Sequence, residues 1–467
     1  MGGRVVVVGA GPIGLAAAML LAAEGHDVTV IEKDPEASPS SGPEAWDGWR
    51  RPGVAQFRQA HVMLPRFRQL LEAELPAVAD RLEKLGGCRF NLTDVLPRSL
   101  PDRTTRAGDE RFEMLTGRRP VVEAAFAQAA EETPGLTVLR GVDVQGPLLG
   151  PPVGPGVPHV CGVRTTDGVE VTADLVVDAM GRRSKVPEWV AAAGGQPLRE
   201  EASDAGFAYY TRHYRSTTGH RPEFRGPLGA DIGTIRILTL PADNGTWTVG
   251  IVAVAGDAPL KALRRNEVWE RVARAVPHIA HWLDAEPVSD VIPMAGVLDR
   301  YRRTVVDGRP VITGVVPLGD AWACTNPTAG RGISLGLAHA VLLRDAIRAH
   351  AAPADLIEAF DHATEDTLTP WYRDQVERDH RRAARMRAIL EGRPPGPDSD
   401  PVLQLIAAGQ NDPDAARGFL DVFSVLALPA EVLQRPGISQ TLDRADSSAP
   451  PTPTPGPSRD ELVALTQ

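Results

Sequence analysis

The segment Val5-Val6-Val7-Val8-Gly9-Ala10-Gly11-Pro12-Ile13-Gly14 constrains this chain more than any other. Four valines predict a short buried strand, because stiff branched side chains suit a covered, pleated surface. Three glycines follow in G-x-G-x-x-G spacing, and the apolar run Leu15 to Ala23 predicts a helix. Gly9 permits the tight turn, Gly11 lets a pyrophosphate approach the backbone, and Gly14 lets the helix lie close on the sheet. The helix then offers free N–H groups and the positive end of its dipole to phosphate. A second strand, Asp27 to Ile31, ends at Glu32, where a carboxylate can accept a ribose hydroxyl. Strand, helix, strand and acid in this order predict a dinucleotide site. Arg4 before an apolar run ending in Ala22-Ala23 suggests a secretory leader, but three glycines and a proline interrupt that run. Met1-Gly2 suggests myristoylation, yet Val6 stands where Ser or Thr is needed.

A net charge of −10 argues against general affinity for nucleic acid or anionic membranes. The 467 residues suffice for two or three domains. Cys88, Cys161 and Cys324 lie far apart with no C-x-x-C, which predicts a reducing compartment, no disulfide framework and no metal site. Beyond the N-terminal run, no apolar stretch is long enough to span a membrane, so a cytoplasmic enzyme is expected.

Further along, Lys33 to Pro52 reads as a long loop holding Trp46 and Trp49. A helix is predicted from Leu64 to Leu85, broken or kinked at Pro76. Another runs from Val121 to Glu132, followed by a strand from Leu136 to Leu139. Pro147 to Pro158 reads as an exposed loop, because Pro and Gly crowd it. Asp174 to Ala179 is a buried-strand pattern followed by the turn Met180 to Ser184. Strand-like stretches at Phe207–Tyr214, Thr234–Leu240 and Thr246–Val254, the last two joined by a hairpin signal, predict an inserted antiparallel sheet. Helical patterns cover 260–276, 280–283, 332–350, 355–391, 401–409 and 413–427. Ser447 to Ser458 is a Pro/Thr/Ser linker, expected to be extended and mobile, before a short amphipathic end.

A second glycine turn lies two-thirds along. Gly319-Asp320 ends a strand, and Asn326-Pro327-Thr328-Ala329-Gly330-Arg331-Gly332-Ile333 leads into a long helix. Asp320 can accept hydrogen bonds from a polyol. Gly330 and Gly332 can bring backbone amides against a flat ring, with the helix N-terminus facing developing negative charge. An ordinary loop before a helix is the alternative.

Together the N-terminal glycines with Glu32, the stretch Asp174 to Ser184, and the Gly319-Asp320 block resemble the FAD-dependent monooxygenase family with the para-hydroxybenzoate hydroxylase fold. The Arg51 to His61 segment and the Arg118-Arg119-Pro120 turn further resemble flavin epoxidases and hydroxylases of antibiotic biosynthesis. The resemblance implies an α/β fold: a Rossmann-type FAD-binding domain (1–185 with 295–350), an inserted antiparallel β-sheet substrate region (186–294) and C-terminal helices (351–445). The Pro-rich linker at 446–460 and a tail to 467 complete the chain.

The same resemblance implies cofactor roles. Gly9, Gly11, Pro12, Ile13 and Gly14 hold the FAD pyrophosphate, with Glu32 and Lys33 at the adenosine ribose. Arg51 and Arg118 reach the pyrophosphate or ribityl chain, where bidentate guanidinium suits phosphate; solvated surface arginines are the alternative. Asp320, Pro327, Gly330, Gly332 and Ile333 surround the ribityl chain and ring edge. Related enzymes that bind a nicotinamide cofactor usually carry Asp-Gly where this chain has Met180-Gly181. Electrons therefore come from NAD(P)H directly, or from a separate reductase or free reduced flavin.

The implied chemistry is insertion of one oxygen from O2 into an apolar or aromatic metabolite, through a flavin C4a-hydroperoxide. Such chemistry needs no acid–base motif in the protein, so catalytic candidates are few: His61, Tyr209 and His213, each of which also reads as a structural residue. A dehydrogenase or reductase on the same scaffold is the second reading. A halogenase is disfavoured: Trp46-Asp47-Gly48-Trp49 resembles the tryptophan pair of such enzymes but lacks their Ile-Pro. A nucleotide-bound sensor without turnover is the non-enzymatic alternative.

Overall fold

In the computed structural model, residues 2–394, 396, 400–444 and 454–467 are described. The chain begins with β1 (Arg4–Val8), whose valines are all buried. Gly11 caps α1 (Pro12–Ala23) in an extended conformation, and Pro12 occupies its first turn. A proline there sacrifices no helical hydrogen bond, since the first N–H groups have no partner inside the helix. Apart from partly exposed ends, α1 is buried all round, as expected of a helix apolar on every face. It leads to β2 (Asp27–Glu32). The predicted helix over 64–85 is two helices, Pro65–Glu74 and Pro76–Lys84, split at Pro76 as the sequence suggests.

After α2 (Arg119–Glu131) come β3 (Leu136–Arg140) and β4 (Leu175–Asp178). Between them the expected loop at 147–158 is instead a hairpin, Val144–Gly154 paired with Val157–Thr165. Its register shifts at three places, and all but the first residue of its first arm are partly or fully exposed. Prolines are tolerated at such irregular edge pairings, which is why their density was misleading.

An antiparallel sheet follows: β5 (Phe207–Arg215), β6 (Gly229–Ile232), β7 (Ile235–Pro241) and β8 (Thr246–Val254), in the order β6-β7-β8-β5. The chain then returns to the first domain with β9 (Val315–Pro317). The parallel sheet is complete in the order β9-β4-β1-β2-β3. Long helices follow: α3 (Gly332–Ala349), a helix over Pro353–Thr367, and α4 (Thr369–Leu390), with Pro370 in its first turn. The segment 42–47, expected within a loop, is a short helix capped by Ser41.

Of the shorter helices α5 (Pro401–Ala408) and α6 (Pro413–Phe423), α6 packs beside the antiparallel sheet and α5 packs on α6. The expected linker at 446–460 falls outside the described residues up to 453. Beyond 454 the tail is anchored at two points: Leu462 of the short helix Arg459–Leu465 is fully buried, and Arg459 pairs with Asp257. Among the described residues, no helix is long and apolar enough to cross a membrane.

Candidate functional site

The site lies where the strands of the parallel sheet end. Gly9 N–H donates to Ile31 O at 2.8 Å, Ala179 N–H to Val8 O at 2.9 Å, and Leu318 N–H to Asp178 O at 2.9 Å. The turns leaving β1, β4 and β9 are therefore neighbours at the carboxyl edge, the usual ligand-binding edge of an open parallel sheet. The two distant glycine turns also touch. A Cβ on Gly319 would lie 3.3 Å from Ile13 Cγ2, and one on Gly336 only 2.7 Å from Ile13 Cγ1. A Cβ on Gly14 would fall 2.1 Å from Gly9 O. Gly11 differs from these: nothing lies within 4 Å of the Cβ it lacks, so its open face is a cradle at the helix N-terminus. That combination fits a pyrophosphate.

Glu32 sits beside this cradle. Its Oε2 accepts from Ala10 N–H at 2.8 Å and from Arg51 Nη2 at 2.6 Å, and its Oε1 accepts from Asp34 N–H at 2.9 Å. With about four lone-pair directions on a carboxylate, one remains for a ribose hydroxyl. Arg51, expected at the pyrophosphate, is instead held in a buried cluster with Glu32, Asp34 and Glu123. Its Nη1 also donates to Ala10 O at 3.2 Å, so it braces the glycine turn from behind. Lys33 is exposed. Arg140, at the end of β3 opposite Glu32, lies with its Nη2 3.7 Å from Glu131 Oε1.

Arg118 requires a correction. Its guanidinium pairs with Asp243 through Nε and Nη2, the latter donating to Oδ2 at 2.6 Å, and covers the Trp46 ring at 4.4 Å, while Nη1 makes no hydrogen bond among the described residues. The arginine of this turn that lines the central cavity is Arg119. The N-cap position points one side chain back to the hairpin at Asp243, and the next residue, on the first helical turn, points forward. His213 likewise leaves the candidate set. Its Nδ1 meets Thr248 Oγ1 at 2.9 Å and its Nε2 meets Arg58 O at 3.0 Å, within packed protein beside Trp46. Burial pushes it down to about 4, so it is neutral. Trp46 and Trp49 are buried packing residues.

One cavity of about 1810 Å³ runs from the second glycine turn to the antiparallel sheet and the C-terminal helices. Gly319, Asp320, Pro327, Gly330, Gly332 and Ile333 line its first sector, with Arg119 and Arg182 nearby. Burial pushes the Asp320 carboxyl up, opposed by the charges of Arg119 and Arg182. A carboxylate aimed into a cavity suits the hydroxyls of a ribityl chain. The first turn of α3 opens here through Gly332 and Ile333.

His61 also lines the cavity. Its Nδ1 lies 3.0 Å from Gln59 O and its Nε2 lies 3.2 Å from Arg119 Nη1. Donation from Nδ1–H to the carbonyl leaves Nε2 to accept from the arginine. Burial and the Arg119 charge push it down to about 3, so His61 is a neutral positioning group for Arg119. Tyr209 and Thr211 of β5 face the cavity, and the Tyr209 hydroxyl bonds Asn326 Oδ1.

Reading the chain residue by residue missed Arg119 and His339. Arg119 was adjacent to a motif residue. His339 carried no spacing signal, because its partner Gly319 is twenty residues away along a strand–turn–helix path.

This geometry defines a dinucleotide-type parallel-sheet fold with a large cavity at the second glycine turn. Residues 4–146 match the family model described as FAD dependent oxidoreductase. Protein Rv3254 of Mycobacterium tuberculosis is 26% identical over 445 residues, covering 90% of this chain and 89% of the relative. Among solved structures, PqsL of Pseudomonas aeruginosa in complex with 2-aminobenzoylacetate superposes with a TM-score of 0.60 at 17% identity, over 84% of this chain and 100% of PqsL. OxyS anhydrotetracycline hydroxylase of Streptomyces rimosus gives 0.53 at 18% identity, over 92% and 77%. The Diels-Alderase PyrE3 gives 0.53 at 18% identity, over 96% and 82%. The chain carries an FAD-dependent oxidoreductase domain over residues 4–146 and shares its fold with these solved structures.

Proposed function

We propose that this protein is an FAD-dependent monooxygenase that hydroxylates or epoxidises an apolar or aromatic small molecule. The observation that carries the reading is the single cavity joining the second glycine turn to the antiparallel sheet. Its volume, about 1810 Å³, exceeds the range of about 300–1,000 Å³ typical of one small ligand, leaving room for a ring and a substrate side by side. When bound and reduced, FAD supplies dioxygen activation. One oxygen atom enters the substrate and the other leaves as water, with two electrons drawn from NAD(P)H or a separate reductase. The chain's own residues would hold the group, with Asp320 toward its ribityl hydroxyls and the first turn of α3 toward its ring, and the sheet and the C-terminal helices would exclude water. OxyS, named as a hydroxylase, has this fold. PyrE3 has it too and is named a Diels-Alderase, so the scaffold alone does not choose the reaction.

The test is anaerobic titration of the FAD-loaded protein with NADH and NADPH, then turnover under isotope-labelled dioxygen. Label in the product supports the monooxygenase. Conversion that persists without oxygen, with no label incorporated, supports the dehydrogenase or reductase reading.

A further inference from the structure

The far wall of the cavity carries charge that the cofactor does not use. Asp231, on β6, is shared by three guanidinium groups: Arg236 Nη1 at 2.9 Å, Arg385 Nη2 at 3.1 Å and Arg382 Nε at 3.6 Å. Arg382 Nη1 also donates to Asp379 Oδ1 at 2.8 Å. The Nε atoms of Arg236 and Arg382 are buried and make no hydrogen bond among the described residues. Neither Nη2 group makes one either, and both arginines line the cavity. Buried cations with unused donors are costly unless an anion completes them.

The surroundings are apolar. Arg236 Nη2 and Leu238 Cδ2 both lie beside Gly229, at 2.7 and 2.8 Å from the Cβ that residue lacks. Leu238, Met294 and Phe419 line the same cavity. The basic pair is also wired to the cofactor turn. Asp379 Oδ1 accepts from Thr328 Oγ1 at 2.5 Å, and Thr328 lies in the turn before Gly330.

Resting on the monooxygenase reading, we infer that the substrate is amphipathic: a carboxylate held by Arg236 and Arg382, and an apolar body lying over Leu238 and Phe419. A planar carboxylate can take two parallel donors from a guanidinium, whereas a neutral amide cannot supply the matching charge.

The experiment is calorimetric binding of 2-naphthoate and its neutral counterpart 2-naphthamide to the FAD-loaded full chain. The carboxylate is expected to bind about tenfold tighter than the amide, the size of one charge-assisted hydrogen bond. Arg236→Gln and Arg382→Gln are each expected to weaken the carboxylate about tenfold and to leave the amide nearly unchanged. Arg382→Lys keeps the charge beside Asp379 and loses the planar fork, so it too should weaken the carboxylate. Equal affinity for the two probes, no binding of either at millimolar concentration, or unchanged carboxylate affinity in the variants would overturn the inference. The comparison in the unmodified protein needs no variant to fold. Binding is read without turnover, so failure of oxygen insertion with carboxylate selectivity intact removes only the monooxygenase reading.

Discussion

His339 Nδ1 accepts the backbone N–H of Gly319 at 3.2 Å, while its Nε2 meets Thr364 Oγ1 at 3.1 Å. Acceptance at Nδ1 places the proton on Nε2, so the ring is neutral and its tautomer is set. A buried ring on α3 thus holds the turn that presents Asp320 to the cavity. Protonation at Nδ1 would break that bond.

This relationship gives a pH prediction. Burial pushes His339 down to about 3, against about 6.5 in an unfolded chain. Below about pH 6.5 the unfolded state takes up a proton that the folded state refuses, so this stability is complete above that pH and is lost as pH falls toward 3. Asp178, pushed up to about 6 by burial, acts with the opposite sign between roughly pH 4 and 6, so the difference between variants carries the test. His339→Leu should be less stable by about 1–3 kcal/mol at pH 8, with the Gly319 N–H orphaned. Its melting temperature should fall less steeply than the parent's between pH 6.5 and 4. Parallel pH profiles would refute the assignment.

Gly11 and Gly14 should respond differently to alanine. Gly11→Ala meets nothing within 4 Å, so the apoprotein should keep its stability within about 0.5 kcal/mol. FAD affinity should nevertheless fall about tenfold or more, because the methyl group occupies the pyrophosphate cradle. Gly14→Ala drives a Cβ to 2.1 Å from Gly9 O and should destabilise the apoprotein itself. Denaturation of apoprotein alongside flavin fluorescence titration separates the two outcomes.

Removing the Arg51 guanidinium leaves Glu32, Asp34 and Glu123 buried without their shared cation. Arg51→Gln is expected to cost about 3–5 kcal/mol, the usual penalty for breaking a buried ion pair from one side. Urea denaturation of the apoprotein checks it, and a loss below about 1 kcal/mol would show that water replaces the arginine.

Asp320→Ala should separate cofactor binding from stability. The carboxylate carries the cost of burial, so the apoprotein variant should melt no lower than the parent. FAD should dissociate about tenfold faster, as expected for loss of a charged acceptor to a ribityl hydroxyl. Stopped-flow release of flavin fluorescence measures the rate.

The parallel sheet was readable in the chain because its signals are local. The valines of β1, the glycines after them and Glu32 lie within one strand–helix–strand unit, and each has a short-range physical reason. The broken helix at Pro76 and the strand over Asp174–Ala179 were readable on the same basis. The hairpin over 144–165 was not, since prolines stop a central strand but are tolerated at a bulged edge, and edge status depends on what packs alongside.

Side-chain partners at the site followed another rule. Arg51 and Arg118 were placed on a cofactor by analogy, but buried guanidiniums go to the nearest buried carboxylates, here from remote parts of the chain. Arg119, His339 and the pair Arg236 and Arg382 acquire their meaning from contacts across the fold. The linear order of residues specified the backbone cradle, because glycine geometry and strand–helix periodicity act over a few residues. The folded arrangement chose which charges meet and which face the cavity, because desolvation and pairing depend on neighbours that the chain brings together from remote positions, as Arg118 and Asp243 are 125 residues apart.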